Sequence, residues 1–147
     1  MSWAEIRAAA ARIVTEAARA GAGARAGAAG AATVSATRIS GIAWATVEAD
    51  RAFRELDGAL GAATSWVPQE RDGLLGASVW RRNPSPGDGG GALFVVEPDT
   101  EGRLAANLAR FGEGVAAVYV GGRGEADRIM PVSARWGPYV IVRSRSG

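Results

Sequence analysis

The tract GAGARAGAAGAA, residues 21–32, limits what the chain on either side of it can form. Alanine and glycine bring very little side-chain surface to a hydrophobic core, and glycine weakens helices and strands alike. The tract is therefore predicted to be a flexible linker. A folded domain is expected over residues 33–147, which are enough to enclose one hydrophobic core.

The residues before the linker, 1–20, have the pattern of an amphipathic helix. Ser2 and Glu5 match a capping box, in which each side chain accepts a hydrogen bond from the other residue's backbone N–H. The apolar residues Trp3, Ile6, Ala10, Ile13, Val14 and Ala17 fall on one stripe. This apolar stripe has to pack against a surface of its own domain, of a partner or of a membrane. The two acidic residues of the helix disfavour the membrane.

The domain itself alternates strand-like and helix-like patterns, with strands in the majority. Frequent turn signals between the strands favour an α+β fold with a mainly antiparallel sheet. The predicted helices cover residues 49–60 and 101–111. The predicted strands cover residues 34–48, a short segment near Trp66, and residues 74–82, 92–98, 115–120, 127–134 and 138–145.

Three residue types are missing, and each absence excludes a class of chemistry. The chain has no cysteine, no histidine and no lysine, since all 17 basic residues are arginine. Disulfides, thiolate catalysis, histidine acid–base catalysis and Schiff-base chemistry are therefore excluded. The chain has no arginine cluster with interleaved aromatics, which is the pattern that would predict nucleic-acid binding. It also has no apolar run long enough to span a membrane.

Four segments, in this order, resemble the vicinal oxygen chelate superfamily, which includes glyoxalase, bleomycin-resistance proteins and methylmalonyl-CoA epimerase. They are ISGIAWATVEADRAFRELDGALG, RDGLLGASVW, GALFVVEPDTEG and LARFGEGVAAVYV, and the match as a whole covers roughly residues 38–120. The resemblance implies βαβββ modules whose curved sheets form a cup, with a divalent metal at its floor. It is strongest toward the methylmalonyl-CoA epimerase-like branch.

The resemblance also implies where metal ligands would stand. The matching positions hold Ile39, Asp72, Ala116 or Ala117, and a residue near Ile141. Only Asp72 among them has a metal-binding side chain, whereas catalytic metal centres take about three protein ligands. We therefore expect a metal-free cup and no cofactor.

The second module is expected to be shortened, because only 27 residues follow Val120. The segment GGRGEAD, residues 121–127, is too short and too rich in glycine for the module's helix. An incomplete module leaves an apolar sheet face uncovered. Either a homodimer or the N-terminal helix would cover it, and the sequence interpretation favours the homodimer.

Acid–base catalysis in this chain would depend on carboxylates and tyrosines. The candidate catalytic residues are Asp72, Glu97 and Tyr139, because a carboxyl group in an apolar cup can have its pKa raised toward neutrality. Each has a structural alternative: Asp72 as a turn residue, Glu97 as a capping or salt-bridging residue, and Tyr139 as a half-buried strand residue.

Aromatic residues on or near the predicted strands are candidates for holding a planar ligand, and an arginine for holding its anionic group. The structural alternative is plain packing for the aromatics and a solvated strand end for the arginine. The candidate ligand-binding residues are Trp44, Trp66, Trp80, Tyr119, Trp136 and Arg81.

The sequence leaves three functions open. The first is a metal-independent isomerase, cyclase or lyase of secondary metabolism, acting on an aromatic or polycyclic small molecule in the cytoplasm. The second is a non-catalytic protein that sequesters such a molecule, as resistance proteins do. The third is a protein-interaction module that uses the N-terminal helix. The interpretation favours an enzyme.

Overall fold

The computed structural model of the chain describes residues 2–24, 39–61, 65–83, 92–121, 128–129 and 137–143. The remainder of the predicted linker, residues 25–32, lies outside the described residues, and so does Trp136. None of the described helices is long and apolar enough to cross a membrane.

The structure has the predicted α+β class. Its helices are α1 (Trp3–Ala24), α2 (Ala49–Leu60) and α3 (Arg103–Phe111). Its strands are β1 (Ile39–Ala45), β2 (Trp66–Pro68), β3 (Ala77–Arg82), β4 (Ala92–Pro98), β5 (Gly114–Gly121), β6 (Arg128–Ile129) and β7 (Tyr139–Arg143).

Several boundaries differ from the sequence prediction, and two of these differences have a clear physical cause. Helix α1 continues to Ala24 and so includes the first four residues of the segment predicted as a linker. Alanine, the best helix former, offsets the cost of about 1 kcal/mol for each glycine. Strand β1 ends at Ala45, earlier than predicted, because the Thr46 hydroxyl bonds the backbone of Glu48 and turns the chain toward α2.

The described strands form one seven-stranded sheet in the order β2-β3-β4-β1-β5-β7-β6. The pairs β1–β4 and β5–β7 are parallel, and the other four neighbouring pairs are antiparallel. The mainly antiparallel sheet is thus as predicted. Its first four strands with α2 have the βαβββ order expected of one glyoxalase-like module.

One face of the sheet, here called the helix face, is covered by α1 and α2. Alternate residues of four central strands meet aliphatic residues of both helices there, because successive strand side chains point to opposite faces. The buried residues of this face are Ile6, Ala10, Val14, Ala17, Ile42, Ala49, Ala52, Leu56, Leu93, Val95, Val118, Val120, Val140 and Val142.

The opposite face, here called the cup face, takes the other alternate residues of the same strands, with α3 packed against them. It also receives Leu74 and Leu75 from the turn before β3. Its buried residues are Ala43, Ala45, Leu75, Ala77, Val79, Val96, Leu104, Leu108, Ala116, Ala117, Tyr119, Tyr139 and Ile141.

Candidate functional site

Asp72 stands in the turn that leads into β3, as the sequence RDG predicts for a turn residue. Its Oδ1 accepts hydrogen bonds from the backbone N–H groups of Leu74 at 2.9 Å and Leu75 at 3.1 Å. Its backbone carbonyl accepts from Gly76 and Ala77. The turn therefore fixes the orientation of the carboxylate, and its second oxygen is directed toward the cup face.

That second oxygen bonds Tyr119 of β5. The Tyr119 hydroxyl donates to Asp72 Oδ2 at 2.9 Å, across 47 positions of sequence. Tyr119 is 1% exposed. Burial, and then the negative charge of Asp72, raise the pKa of Tyr119 well above its ordinary value of 10.0. Tyr119 is therefore a protonated hydrogen-bond donor at neutral pH and not a base.

Two half-buried side chains flank the Tyr119 ring. Phe94 meets it edge-on, with ring centroids 5.4 Å apart, and the Arg143 guanidinium carbon lies 4.1 Å from its centroid. Arg143 also lies 5.9 Å from the Phe94 centroid, a cation–π distance. Asp72, Phe94, Tyr119 and Arg143 are called the Tyr119 cluster below.

Gly41 leaves the space in which the two rings meet. A Cβ atom at this position would lie 2.6 Å from Phe94 Cε2 and 3.2 Å from Tyr119 Cδ2. Contacts that short force a shift of one ring or of β1. The glycine of the SGIA segment is thus a packing requirement of the Tyr119 cluster.

Glu97, predicted to be catalytic, lies on the other side of the sheet from this cluster. Its Oε2 accepts a hydrogen bond from the backbone N–H of Ala49 at 2.9 Å, at the first residue of α2. A carboxylate there satisfies an unpaired N–H and interacts favourably with the helix dipole. The structure does not bring Glu97 together with Asp72, and its contact is the capping role that the sequence left as an alternative.

Glu113, in the FGEG segment, has a similar anchoring role at the same end of α2. Its Oε2 accepts hydrogen bonds from the Thr46 hydroxyl at 2.5 Å, the Val47 N–H at 3.0 Å and Arg51 Nη2 at 2.7 Å. The Thr46 hydrogen bond chiefly, with those of Val47 and Arg51, lowers the pKa of Glu113 below its ordinary value of 4.5. Two segments of the resemblance, GEG and VVEP, thus hold the start of α2 in place.

Trp66 and Trp80 lie on the helix face, against Phe53 of α2. The Phe53 and Trp66 rings stack at 4.9 Å, and Trp80 meets Phe53 edge-on at 5.7 Å. Trp66 Nε1 also donates to the carboxylate of Asp57, and the nearly buried Arg82 lies 3.5 Å from the same carboxylate. These two tryptophans stabilise the junction of α2 with the sheet edge and are separated by the sheet from Tyr119.

Trp44 also lies on the helix face, in a groove of about 480 Å³ beside α1. The groove lies between α1 and the β1–β5 strand pair, with Trp44 and Val115 contributed by the strands. Its α1 side is formed by Glu5, Ile6, Ala9, Arg12, Ile13 and Glu16. Trp44 is thus a predicted ligand-binding tryptophan that lines a groove, on the face of the sheet opposite Tyr119.

Two other predicted site residues share the cup face with Tyr119. Tyr139 is buried, and its hydroxyl donates to the Arg103 carbonyl of α3 over a long 3.4 Å. Burial raises the pKa of Tyr139. Arg81 is exposed and pairs in register with Phe94, which places it on the same face nearer the sheet edge.

Sequence reasoning missed three residues around Tyr119: Gly41, Phe94 and Arg143. A signal existed for Arg143, because the alternation in YVIVR, residues 139–143, places it on the same face as Tyr139. Its approach to Tyr119 depends on the pairing of β5 with β7, which no local pattern specifies.

The donors at the positions matched to metal ligands do not fit a divalent metal centre. Ile39 contacts the helix-face cluster, Ala116 and Ala117 are buried among apolar residues, and Asp72 is the one carboxylate. Within the described ranges, no three or more His, Cys, Asp or Glu side chains stand close enough to hold a metal ion. The donors at these positions are therefore too few to hold a divalent metal.

Comparisons with solved structures agree on the architecture. A single-substitution variant of Streptomyces coelicolor methylmalonyl-CoA epimerase, in complex with 2-nitronate-propionyl-CoA, matches 76% of this chain and 99% of its own, with a TM-score of 0.54 and 19% identity. A methylmalonyl-CoA epimerase in complex with methylmalonyl-CoA and NH4+ matches 76% of this chain and 96% of its own, again at 0.54 and 19%.

A hypothetical protein from Bacillus halodurans C-125 also matches, over 76% of this chain and 96% of its own, with a TM-score of 0.53 and 12% identity. No protein-family model and no curated protein sequence matches the chain. At these identities the likeness shows the fold alone. The chain has the glyoxalase-like α+β fold, and its structural neighbours include methylmalonyl-CoA epimerase of the vicinal oxygen chelate superfamily.

Proposed function

We propose that this protein binds a small organic anion with an aromatic or polycyclic body on the cup face and acts on it as a metal-independent enzyme of the isomerase, cyclase or lyase type. The observation that supports this is the Tyr119 cluster. It combines a cation, two aromatic rings and a hydrogen-bonded carboxylate within one patch of a sheet whose structural neighbours bind acyl-CoA ligands.

Each member of the cluster has a part in the proposal. The guanidinium of Arg143 pairs with the anionic group of the ligand, and the half-buried Phe94 ring packs against its body. Asp72 accepts the proton that an isomerisation removes and returns it to the product. Tyr119 stays protonated and holds the Asp72 carboxylate in place by donating to one of its oxygens. The remaining lone pairs of that carboxylate are available for the ligand.

Metal independence rests on the donor chemistry of the chain. With no histidine and no cysteine, a divalent cation would need a group of carboxylates. The matched positions supply Asp72 alone, and its Oδ1 is already engaged by two backbone N–H groups. In this proposal the proton moves between the ligand and a side chain without Lewis-acid assistance.

Binding can be tested by calorimetric titration with two probes, 2-naphthoate for a planar anion and methylmalonyl-CoA for an acyl-CoA. Arg143→Gln is expected to weaken binding of the preferred probe about 10-fold or more, since a charge-assisted hydrogen bond contributes about 1.5–3 kcal/mol. Arg54→Gln, an exposed arginine of α2 on the opposite side of the sheet, is the matched control. Equal effects of the two changes, or no binding by wild type, would overturn the proposed site.

Turnover is tested separately, by following deuterium incorporation into methylmalonyl-CoA in D2O by mass spectrometry. Asp72→Asn is expected to abolish the exchange while leaving the affinity within about 3-fold, because it removes the proton acceptor and keeps the shape. Asp50→Asn, an exposed residue in the first turn of α2, should leave exchange unchanged.

A second function, sequestration without turnover, is favoured by one specific observation. Both oxygens of Asp72 already accept hydrogen bonds, three in all, so the carboxylate is well satisfied without a ligand. Binding of either probe that depends on Arg143, together with no exchange in wild type, would favour this function over the enzyme.

A further inference from the structure

The sheet is built from two halves that repeat the same pairing pattern. In the first half, β1 pairs parallel with β4, and β4 pairs antiparallel with β3. In the second half, β5 pairs parallel with β7, and β7 pairs antiparallel with β6. The halves join through the antiparallel pair β1–β5 at the centre of the sheet. In strand order and direction, β5, β6 and β7 are thus the counterparts of β1, β3 and β4.

The connection that follows the first strand differs in length between the two halves. In the first half, the 12-residue helix α2 follows β1 and packs on the helix face through Ala52 and Leu56. In the second half, β5 ends at Gly121 and β6 begins at Arg128, which leaves six residues between them. Six residues are half the length of α2, so a helix as long as α2 does not fit between β5 and β6.

The helix face of the second half is nevertheless covered, and the helix that covers it is α1. This helix contacts β5, β7 and β1. Its buried stripe belongs to the same apolar cluster as the outward residues of β5 and β7. From α1 the stripe contributes Ile6, Ala10, Val14 and Ala17, and from the two strands the cluster includes Val118, Val120, Val140 and Val142.

We infer that α1 fills, within the same chain, the position of the helix that the second half lacks. The helix comes from the opposite end of the polypeptide, before β1, and completes a second α-on-sheet unit around β5 and β7. The face of β5 and β7 is therefore a docking surface for one amphipathic helix, and its occupant is residues 3–17 of this chain. This inference is independent of the proposed function, which concerns the opposite face of the sheet.

The spacing and the type of the contacting residues support this assignment. Four buried aliphatic residues of α1, spaced at four, four and three positions, form one continuous stripe along the helix. The buried residues that β5 and β7 contribute to this cluster are all valines, which a helix stripe of alanine and branched residues can approach closely. Exposed to water instead, such a face would be a site of association with other chains.

The decisive experiment moves the helix to the place that the inference assigns to it. A rearranged chain begins at residue 33 and carries residues 2–20 between Gly121 and Arg128, in two versions that differ in the length of their flanking Gly/Ser linkers. We expect at least one version to unfold cooperatively, with a melting temperature within about 10 °C of wild type. If neither version folds, the inference is overturned.

Two substitutions in the rearranged chain test whether the same stripe is used. Val14→Asp places a charge in the buried stripe and is expected to abolish cooperative folding, whereas Ala8→Asp, on the exposed side of α1, should be tolerated. Equal tolerance of the two changes would contradict the assignment.

A cut chain tests docking in the wild-type order. A protease site is placed within residues 25–32 of the full chain, the folded protein is cleaved, and the products are followed by size-exclusion chromatography and native mass spectrometry. The helix fragment is expected to remain bound to its own body, and Val14→Asp should weaken its retention on the order of 100-fold or more. Release of the wild-type fragment after cleavage would overturn docking within the chain. A dimer of the uncleaved chain in which the two copies exchange their helices would overturn it as well.

Discussion

The two faces of the sheet are made from alternate residues of the same strands, yet they differ in chemistry. The helix face has a buried aliphatic core between strands and two helices, with polar contacts at its margins, such as those of Asp57 with Arg82 and of Glu97 with Ala49. The cup face has a buried tyrosine bonded to a carboxylate, with a guanidinium against its ring. The comparison teaches that the helix face stabilises the fold, while the cup face holds the hydrogen-bonded and charged groups on which the proposed ligand site rests.

The largest expected loss of stability comes from a cavity in the helix face. Leu56→Ala removes a fully buried side chain of α2 and is expected to lower the free energy of unfolding by about 2–5 kcal/mol. Leu60→Ala, at a half-buried position one turn later, should cost clearly less. Urea unfolding followed by circular dichroism measures both, and equal losses would show that α2 is not anchored as described.

The next effect comes from a methyl group added beneath the Tyr119 cluster. Gly41→Ala places a Cβ against Phe94 and Tyr119 and is expected to cost about 1–3 kcal/mol. Gly58→Ala is the matched control, because its Cβ would meet no atom within 4 Å on α2. In a helix this change should stabilise by about 0.5–1 kcal/mol. Effects of the same sign in thermal unfolding would argue against the close approach of the two rings.

A smaller effect is expected from the tyrosine hydroxyl. Tyr119→Phe removes the 2.9 Å hydrogen bond to Asp72 and should lower stability by about 1–1.5 kcal/mol. Tyr139→Phe removes a longer, 3.4 Å hydrogen bond to a backbone carbonyl and should cost less. Chemical denaturation compares the pair, and a larger loss for Tyr139→Phe would contradict the importance given to the Asp72–Tyr119 contact.

The smallest effect concerns Glu113 and depends on pH. Because its pKa is lower in the folded protein than its ordinary value of 4.5, the ionised carboxylate contributes stability above about pH 4.5, and this contribution is lost as the pH falls through the folded-state pKa. Glu113→Gln should therefore destabilise at about pH 7 and much less at about pH 3. Glu55→Gln, at an exposed position of α2, should show no such pH dependence relative to wild type. A stability difference between Glu113→Gln and wild type that stays constant with pH would refute the linkage.

Local patterns in the sequence predicted the elements but not the partners of their side chains. The capping box of α1 is present, since the Ser2 N–H bonds Glu5 and the Glu5 N–H bonds Ser2. The helix α2 has the predicted bounds because its apolar stripe ends at a glycine, Gly61, which adopts a φ of 76°. These features depend on residues a few positions apart, which a sequence displays directly.

The candidate site was harder to predict, because strand alternation gives the relative faces within one strand and not between strands. Trp44 and Tyr119 both lie on central strands, and only the pairing of β1 with β5, with its register shift between Ala43 and Trp44, places them on opposite faces. Trp66 and Trp80 face α2 for the same kind of reason, since β2 and β3 pair in a register that directs both rings to Phe53.

The sequence by itself determined the α+β class, the βαβββ order of the first half, the turn at Asp72 and a side-chain inventory without histidine, cysteine or lysine. The tertiary structure alone decided that Asp72 meets Tyr119, that Glu97 and Glu113 hold the start of α2, and that α1 covers β5 and β7. The physical reason is the range of the contacts. Turns, caps and stripes are set by neighbours along the chain, whereas these pairings depend on strand register and on which apolar face a distant helix can bury.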